Sequence, residues 1–68
     1  MNNWQKVYTT PNGHQAEIVK AVLETHELPA VVMNRKDSSY HFGYFEVFVN
    51  TEDATTALNV IADEISFE

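Results

Sequence analysis

The chain has 68 residues and no cysteine, and its ten acidic residues against four basic ones give a net charge of −6. This length predicts one small domain over residues 1–68, and the missing cysteines exclude disulfides and thiolate metal sites. The negative charge disfavours nucleic acid and anionic membranes as partners, because it repels phosphate groups.

The amino-terminal segment, residues 1–6, lacks the apolar run of a signal peptide. Further along, no apolar stretch approaches the roughly 20 residues that cross a bilayer as a helix. Together with the absence of cysteine, this predicts a soluble protein of the cytoplasm.

The first half of the chain predicts a strand and then a helix. Trp4 to Thr9 is rich in aromatic and β-branched residues that alternate with polar ones, as in a strand. Asn12, with Gln15 three residues later, has the spacing of a helix N-cap. A helix is therefore predicted from Gly13 to about His26. Its apolar stripe comprises Ala16, Ile18, Val19, Val22, Leu23 and His26.

The second half predicts two strands and a second helix. Pro29 cannot continue the first helix, and the strands are predicted at residues 30–34 and 45–49, with a long connection or ragged strand ends over 35–44. Asn50 or Thr51 would cap the second helix, with acidic residues in its first turn. The stripe expected on this helix is Ala54, Ala57, Leu58, Ile61, Ala62 and Ile65.

This order of elements predicts an α+β sandwich of the ferredoxin-like type. A strand–helix–strand unit crosses over right-handedly, and a hairpin then allows the third strand to insert antiparallel between the first two. The sheet would have strand order 1-3-2, with both helices on one face. Residues 65–67 would form a short fourth strand or the frayed end of the helix.

The alternation of the strands predicts which side chains face away from the helices. On the third strand Val47 and Val49 would point inward, so that Phe48 points outward. The same alternation places Trp4 and Tyr8 on the outer face of the first strand. These three rings would form a contact surface, whereas a register shifted by one residue would bury them.

The ionisable residues show no recognised catalytic or metal pattern, so we expect no cofactor, no metal and no enzymatic activity. His14 and His26 lie too far apart around the helix to share a ligand face. The connection over 35–44 is the most unusual segment, because basic, histidine and aromatic residues meet there. Arg35, His41 and Tyr44 are its candidate binding groups.

Several short stretches resemble a family of bacterial proteins labelled putative prokaryotic signal-transducing proteins, over about residues 7–65. They are Val7-Tyr8-Thr9, Ala16-Glu17-Ile18-Val19-Lys20, Leu23-Glu24, Leu28-Pro29-Ala30, Asn34, Glu46-Val47, Val49 and Glu52-Asp53-Ala54. The resemblance implies a fold similar to PII-type regulatory proteins, which bind effectors and partner proteins. The chain lacks their long extra loop, and Gly43 stands alone where many family members have several glycines.

Two functions are therefore expected of the chain. The first is a non-enzymatic regulatory module that binds a protein or small effector. It would form a homodimer through the outer face of the sheet or a free sheet edge, since the unpaired edge of the first strand favours pairing. The alternative is a small enzyme or ligand-binding protein that uses the cleft between the 35–44 connection and the sheet. An RNA-binding sheet with an aromatic face is disfavoured by the shortage of basic residues.

Overall fold

The computed structural model describes residues 3–37 and 42–66 as a three-stranded sheet with two α-helices. The elements are β1 (Trp4–Thr10), α1 (Gly13–Thr25), β2 (Ala30–Asp37), β3 (Phe42–Asn50), a 3₁₀ turn (Thr51–Asp53) and α2 (Ala54–Glu64). β3 is the central strand and pairs antiparallel with both neighbours, in the order β1-β3-β2. The predicted α+β architecture of the ferredoxin-like type is confirmed.

The core lies between the two helices and one face of the sheet. Val47 and Val49 of β3 are wholly buried, as are Val19 and Leu23 of α1. Phe45 packs against the same core. Because β3 alternates, Glu46 and Phe48 lie on the opposite face, which no described helix covers. We call this face the open face, and the predicted inward direction of Val47 and Val49 is confirmed.

An irregularity in β1 changes the alternation that the sequence predicts. The register passes from Lys6 opposite Phe48 directly to Tyr8 opposite Val47, so that Val7 is an extra residue. Val7 is buried, and Tyr8 packs against the core beside it. The prediction that Tyr8 points away from the helices is wrong, because the bulge reverses the faces of all later residues in β1.

Local hydrogen bonds define both ends of α1. The Asn12 side chain accepts hydrogen bonds from the backbone N–H groups of His14 at 2.9 Å and Gln15 at 3.3 Å, as the predicted N-cap requires. At the other end the Leu28 N–H donates to Leu23 C=O, and Glu27 has a positive φ of 63°. This is a Schellman-type ending that stops the helix before Pro29.

The buried face of α2 agrees only in part with the predicted stripe. Ala54 and Ala57 are buried, and Ile61 and Ile65 pack against the core, as predicted. Leu58 and Ala62 are exposed, and Val60 is buried in their place. The described part of the chain contains no strand after α2: Ile65 and Ser66 are not in a strand, and Phe67 lies outside the described residues. Neither described helix is long and apolar enough to cross a membrane.

Candidate functional site

The open face carries most of the large apolar side chains that the described residues expose. Trp4, Val31, Met33 and Tyr44 all occupy open-face positions, while Leu58 is exposed on α2. A single exposed apolar residue is ordinary, but a contiguous group of them marks a contact surface. The open face is therefore the surface of this molecule on which binding is best sought.

Part of the open face forms a shallow groove with a volume of about 420 Å³. The described residues that line this groove are Trp4, Val31, Met33, Arg35 and Phe48. They come from all three strands, with Phe48 on the central one. Four of these five side chains are apolar, and Arg35 supplies the one charge.

Glu46 lies beside the groove and is the one acidic residue that is buried among those described, with 7% of its surface exposed. Its carboxylate accepts a hydrogen bond from Arg35 Nε to Oε1 at 2.8 Å and another from Lys6 Nζ to Oε2 at 3.2 Å. Lys6 lies on β1 and Arg35 on β2, so the three charges connect all strands of the sheet. A buried carboxylate requires such partners, because desolvation is otherwise costly.

These contacts hold Glu46 in its ionised form. The hydrogen bond from the Arg35 guanidinium is the largest cause that lowers the pKa of Glu46 below its ordinary value of 4.5. Lys6 lowers this pKa further through its hydrogen bond and its charge, and partial burial opposes both effects. Glu46 is consequently an anion at neutral pH.

Arg35 belongs both to the groove and to this ion-pair cluster. Its bond to Glu46 uses Nε, so that the bond engages one of the five N–H donors that a guanidinium carries. The Arg35 side chain is about half exposed, at 49%. Within the part of the chain that the structure describes, no hydrogen bond is formed by its terminal nitrogens, which leaves them available beside the apolar lining of the groove.

The structure brings together some of the residues that the sequence predicts as a site. Trp4 and Phe48 line the groove together, whereas Tyr8 lies on the helix-covered face. Arg35 and Tyr44 are cross-strand neighbours in β2 and β3, which extend well into the predicted connection. His41 lies outside the described residues. The binding roles of these residues remain predictions.

Sequence reasoning missed four residues of this site. Val31 and Met33 alternate with Ala30 and Val32 along β2, a pattern that predicts two outward apolar side chains once the inner face is known. The partners Lys6 and Glu46 are 40 positions apart in the chain. No local signal in the sequence indicates that pair.

Within residues 3–37 and 42–66, no three histidine, cysteine or acidic side chains are grouped as a metal ion would require. A family model described as putative prokaryotic signal transducing protein matches residues 4–65. No curated protein and no solved structure matches the chain.

Proposed function

Because the chain belongs to the family of putative prokaryotic signal transducing proteins, we propose that it is a non-enzymatic, cytoplasmic interaction module. Its open face would bind a partner protein or a small effector. The observation that carries this proposal is the exposed groove, which places apolar side chains from three strands beside a charged cluster.

The residue types on the open face support a binding role. Tryptophan, tyrosine, phenylalanine, methionine and arginine are enriched at protein interfaces, and tryptophan, tyrosine and arginine dominate their binding energy. Trp4, Tyr44, Phe48, Met33 and Arg35 supply one of each on this face. The ion pairs with Glu46 hold the side chains of Lys6 and Arg35 in place before a partner binds.

The state of Glu46 supports binding over catalysis. A general base or acid works best with a pKa near the operating pH, whereas the contacts of Glu46 lower its pKa. Both of its carboxylate oxygens are engaged by cations. Glu46 is thus placed to organise the surface and not to exchange protons.

We also propose that the module forms a homodimer through the free edge of β2. The other edge strand, β1, contains the bulge after Lys6, a feature that hinders pairing with further strands. β2 pairs with β3 without interruption over its eight residues. Antiparallel pairing of two β2 edges would place both grooves on one face of a continuous sheet.

The dimer proposal predicts a mass that depends on concentration. Sedimentation equilibrium of the wild-type protein should show a monomer–dimer equilibrium, and Asn34→Lys, which adds a charge on the exposed edge strand, should shift it towards monomer. Asn59→Lys on exposed α2 is the matched control and should leave it unchanged. A wild-type monomer at every concentration would rule the dimer out.

The binding proposal is tested by two substitutions on opposite sides of the molecule. Met33 in the groove and Leu58 on α2 are exposed to similar extents, 43% and 46%. Tagged wild-type protein, Met33→Asp and Leu58→Asp would be used to capture ligands from a lysate of the native host. Met33→Asp should lose specific proteins or metabolites that Leu58→Asp retains. Equal capture by both variants, or loss only with Leu58→Asp, would contradict the proposal.

A further inference from the structure

We propose that the groove binds a small apolar carboxylic acid, whose carboxylate contacts Arg35 and whose apolar body lies across Trp4, Met33 and Phe48. This inference rests on the proposed function and specifies the chemistry of the effector. It is drawn from the volume of the groove, its apolar lining and the placement of its single charge.

The size and lining of the groove fit a small molecule. Its volume of about 420 Å³ falls within the range of about 300–1,000 Å³ that is usual for small-molecule sites. Such sites combine mostly apolar walls with a few polar groups that fix the orientation of the ligand. Among the lining residues that the structure describes, Arg35 is the one charged group, so it determines which end of the ligand carries charge.

The chemistry of Arg35 favours a carboxylate. A guanidinium presents N–H donors in a planar fork that matches the two oxygens of a carboxylate. Nε already holds Glu46, which fixes the plane of the guanidinium and leaves its terminal nitrogens for a second acceptor. A ligand without an acceptor at this position would leave those donors to water.

The charges of the open face also favour an anion there, although the whole chain is acidic. Among the open-face side chains of residues 4–35 and 43–50, Lys6 and Arg35 are cations and Glu46 is the one acid. Six of the ten acidic residues of the chain lie instead in the helices and the 3₁₀ turn. They are Glu17, Glu24, Glu52, Asp53, Asp63 and Glu64.

The same charges argue against a second copy of this chain as the occupant of the groove. Two open faces placed against each other would bring together two clusters that each carry a net positive charge, and like charges across an interface are unfavourable. Glu46 of one copy could not pair with the cations of the other, because both of its carboxylate oxygens already accept hydrogen bonds within its own chain. A separate anionic ligand meets neither difficulty.

Trp4 is the only tryptophan in the chain and lines the groove, so its fluorescence reports occupancy directly. Decanoate and decanol form a matched pair of probes, with the same apolar chain and a different head group. Decanoate should change Trp4 fluorescence saturably and bind at least about tenfold more tightly than decanol, because it alone brings a negative charge and two acceptor oxygens to Arg35.

Substitutions test whether the preference for decanoate over decanol depends on the groove. Arg35→Gln should weaken decanoate binding at least about tenfold and decanol binding by a clearly smaller factor, whereas Lys20→Gln on α1 removes the same charge elsewhere and should alter neither. If Arg35→Gln lowers the thermal stability, Met33→Ser provides a second test that leaves Glu46 paired. It should weaken both probes by a similar factor.

The outcomes separate this inference from the proposed function. Equal affinities for decanoate and decanol, unaltered by Arg35→Gln, would overturn the inference that the groove selects a carboxylate. The open face could then still be a binding surface for another ligand. No saturable change of Trp4 fluorescence with decanoate would also overturn this inference. The proposed function fails separately, if Met33→Asp and Leu58→Asp capture the same ligands from the host lysate.

Discussion

Glu46 is the residue that links the three strands of the open face. Its carboxylate contacts Lys6 on β1 and Arg35 on β2, while its own backbone lies in β3. Exposed ion pairs contribute little to stability on average. This carboxylate is itself buried, however, so that removing its charge would leave two cations without their shared partner.

The lowered pKa of Glu46 predicts how stability depends on pH. An acid whose pKa is lower in the folded state than in the unfolded state stabilises the fold above its unfolded pKa, and this contribution disappears as the pH falls through the folded pKa. Near neutral pH, Glu46→Gln should therefore unfold at a lower temperature than the wild type. The difference should shrink as the pH is lowered below about 4.5.

Thermal unfolding followed by circular dichroism at several pH values measures this difference. Glu17→Gln removes the same charge from an exposed position on α1 and is the matched control. If the unfolding temperature of Glu46→Gln stays below that of the wild type by the same amount down to the lowest pH, the ionisation of Glu46 contributes nothing to stability.

Gly13 is needed for packing and not for its backbone angles, since its φ is not positive. A Cβ placed there would approach the Phe45 ring to 2.9 Å at Cζ, which is closer than atoms can pack. Gly13→Ala should therefore destabilise the protein by about 1–3 kcal/mol, as overpacking does, although alanine is the better helix former.

The double variant Gly13→Ala with Phe45→Leu separates the two effects of the added methyl group. Because leucine lacks the outer ring atoms, the combined loss in unfolding free energy should be smaller than the sum of the two single losses. Strictly additive losses in urea unfolding would contradict a contact between the two positions.

At the scale of elements, the order and type of the strands and helices could be predicted, but the buried faces of β1 and α2 could be predicted only in part. α2 has apolar residues at positions 54, 57, 58, 60, 61 and 62. These residues form two overlapping apolar stripes on the helix, one that includes Leu58 and one that includes Val60. Only packing against the sheet determines that Val60 is buried and Leu58 exposed. The bulge at Val7 has no glycine to mark it, so the sequence predicts regular alternation and places Tyr8 on the wrong face.

The end of α1 carries a strained residue that can be tested. Glu27 adopts a left-handed conformation with φ of 63°, which costs about 1–2 kcal/mol for a residue with a Cβ. Glu27→Gly should raise the free energy of unfolding by about 0.5–1 kcal/mol, because glycine removes this strain but loses more entropy on folding. Glu27→Ala keeps the Cβ and should give no such gain in urea unfolding.

At the scale of the whole molecule, the fold separates two surfaces of different character. The helices and the 3₁₀ turn carry most of the acidic residues, and the open face carries the apolar groove with Arg35 and Lys6. The sequence predicts such an open face from the alternation of β3 alone. The ion pairs that organise it join residues 40 and 11 positions apart, which only the folded sheet brings together.

The proposed function is that the open face of the sheet binds a partner protein or a small effector. The most direct measurement is the amide NMR spectrum of ¹⁵N-labelled protein in concentrated lysate of the native host, compared with the spectrum in buffer. We expect shifts or broadening at the Trp4 indole and at the amides of Val31, Met33, Arg35 and Phe48, and we expect Met33→Asp to abolish them. Changes confined to α1 and α2, with the Trp4 signal unaltered, would contradict it.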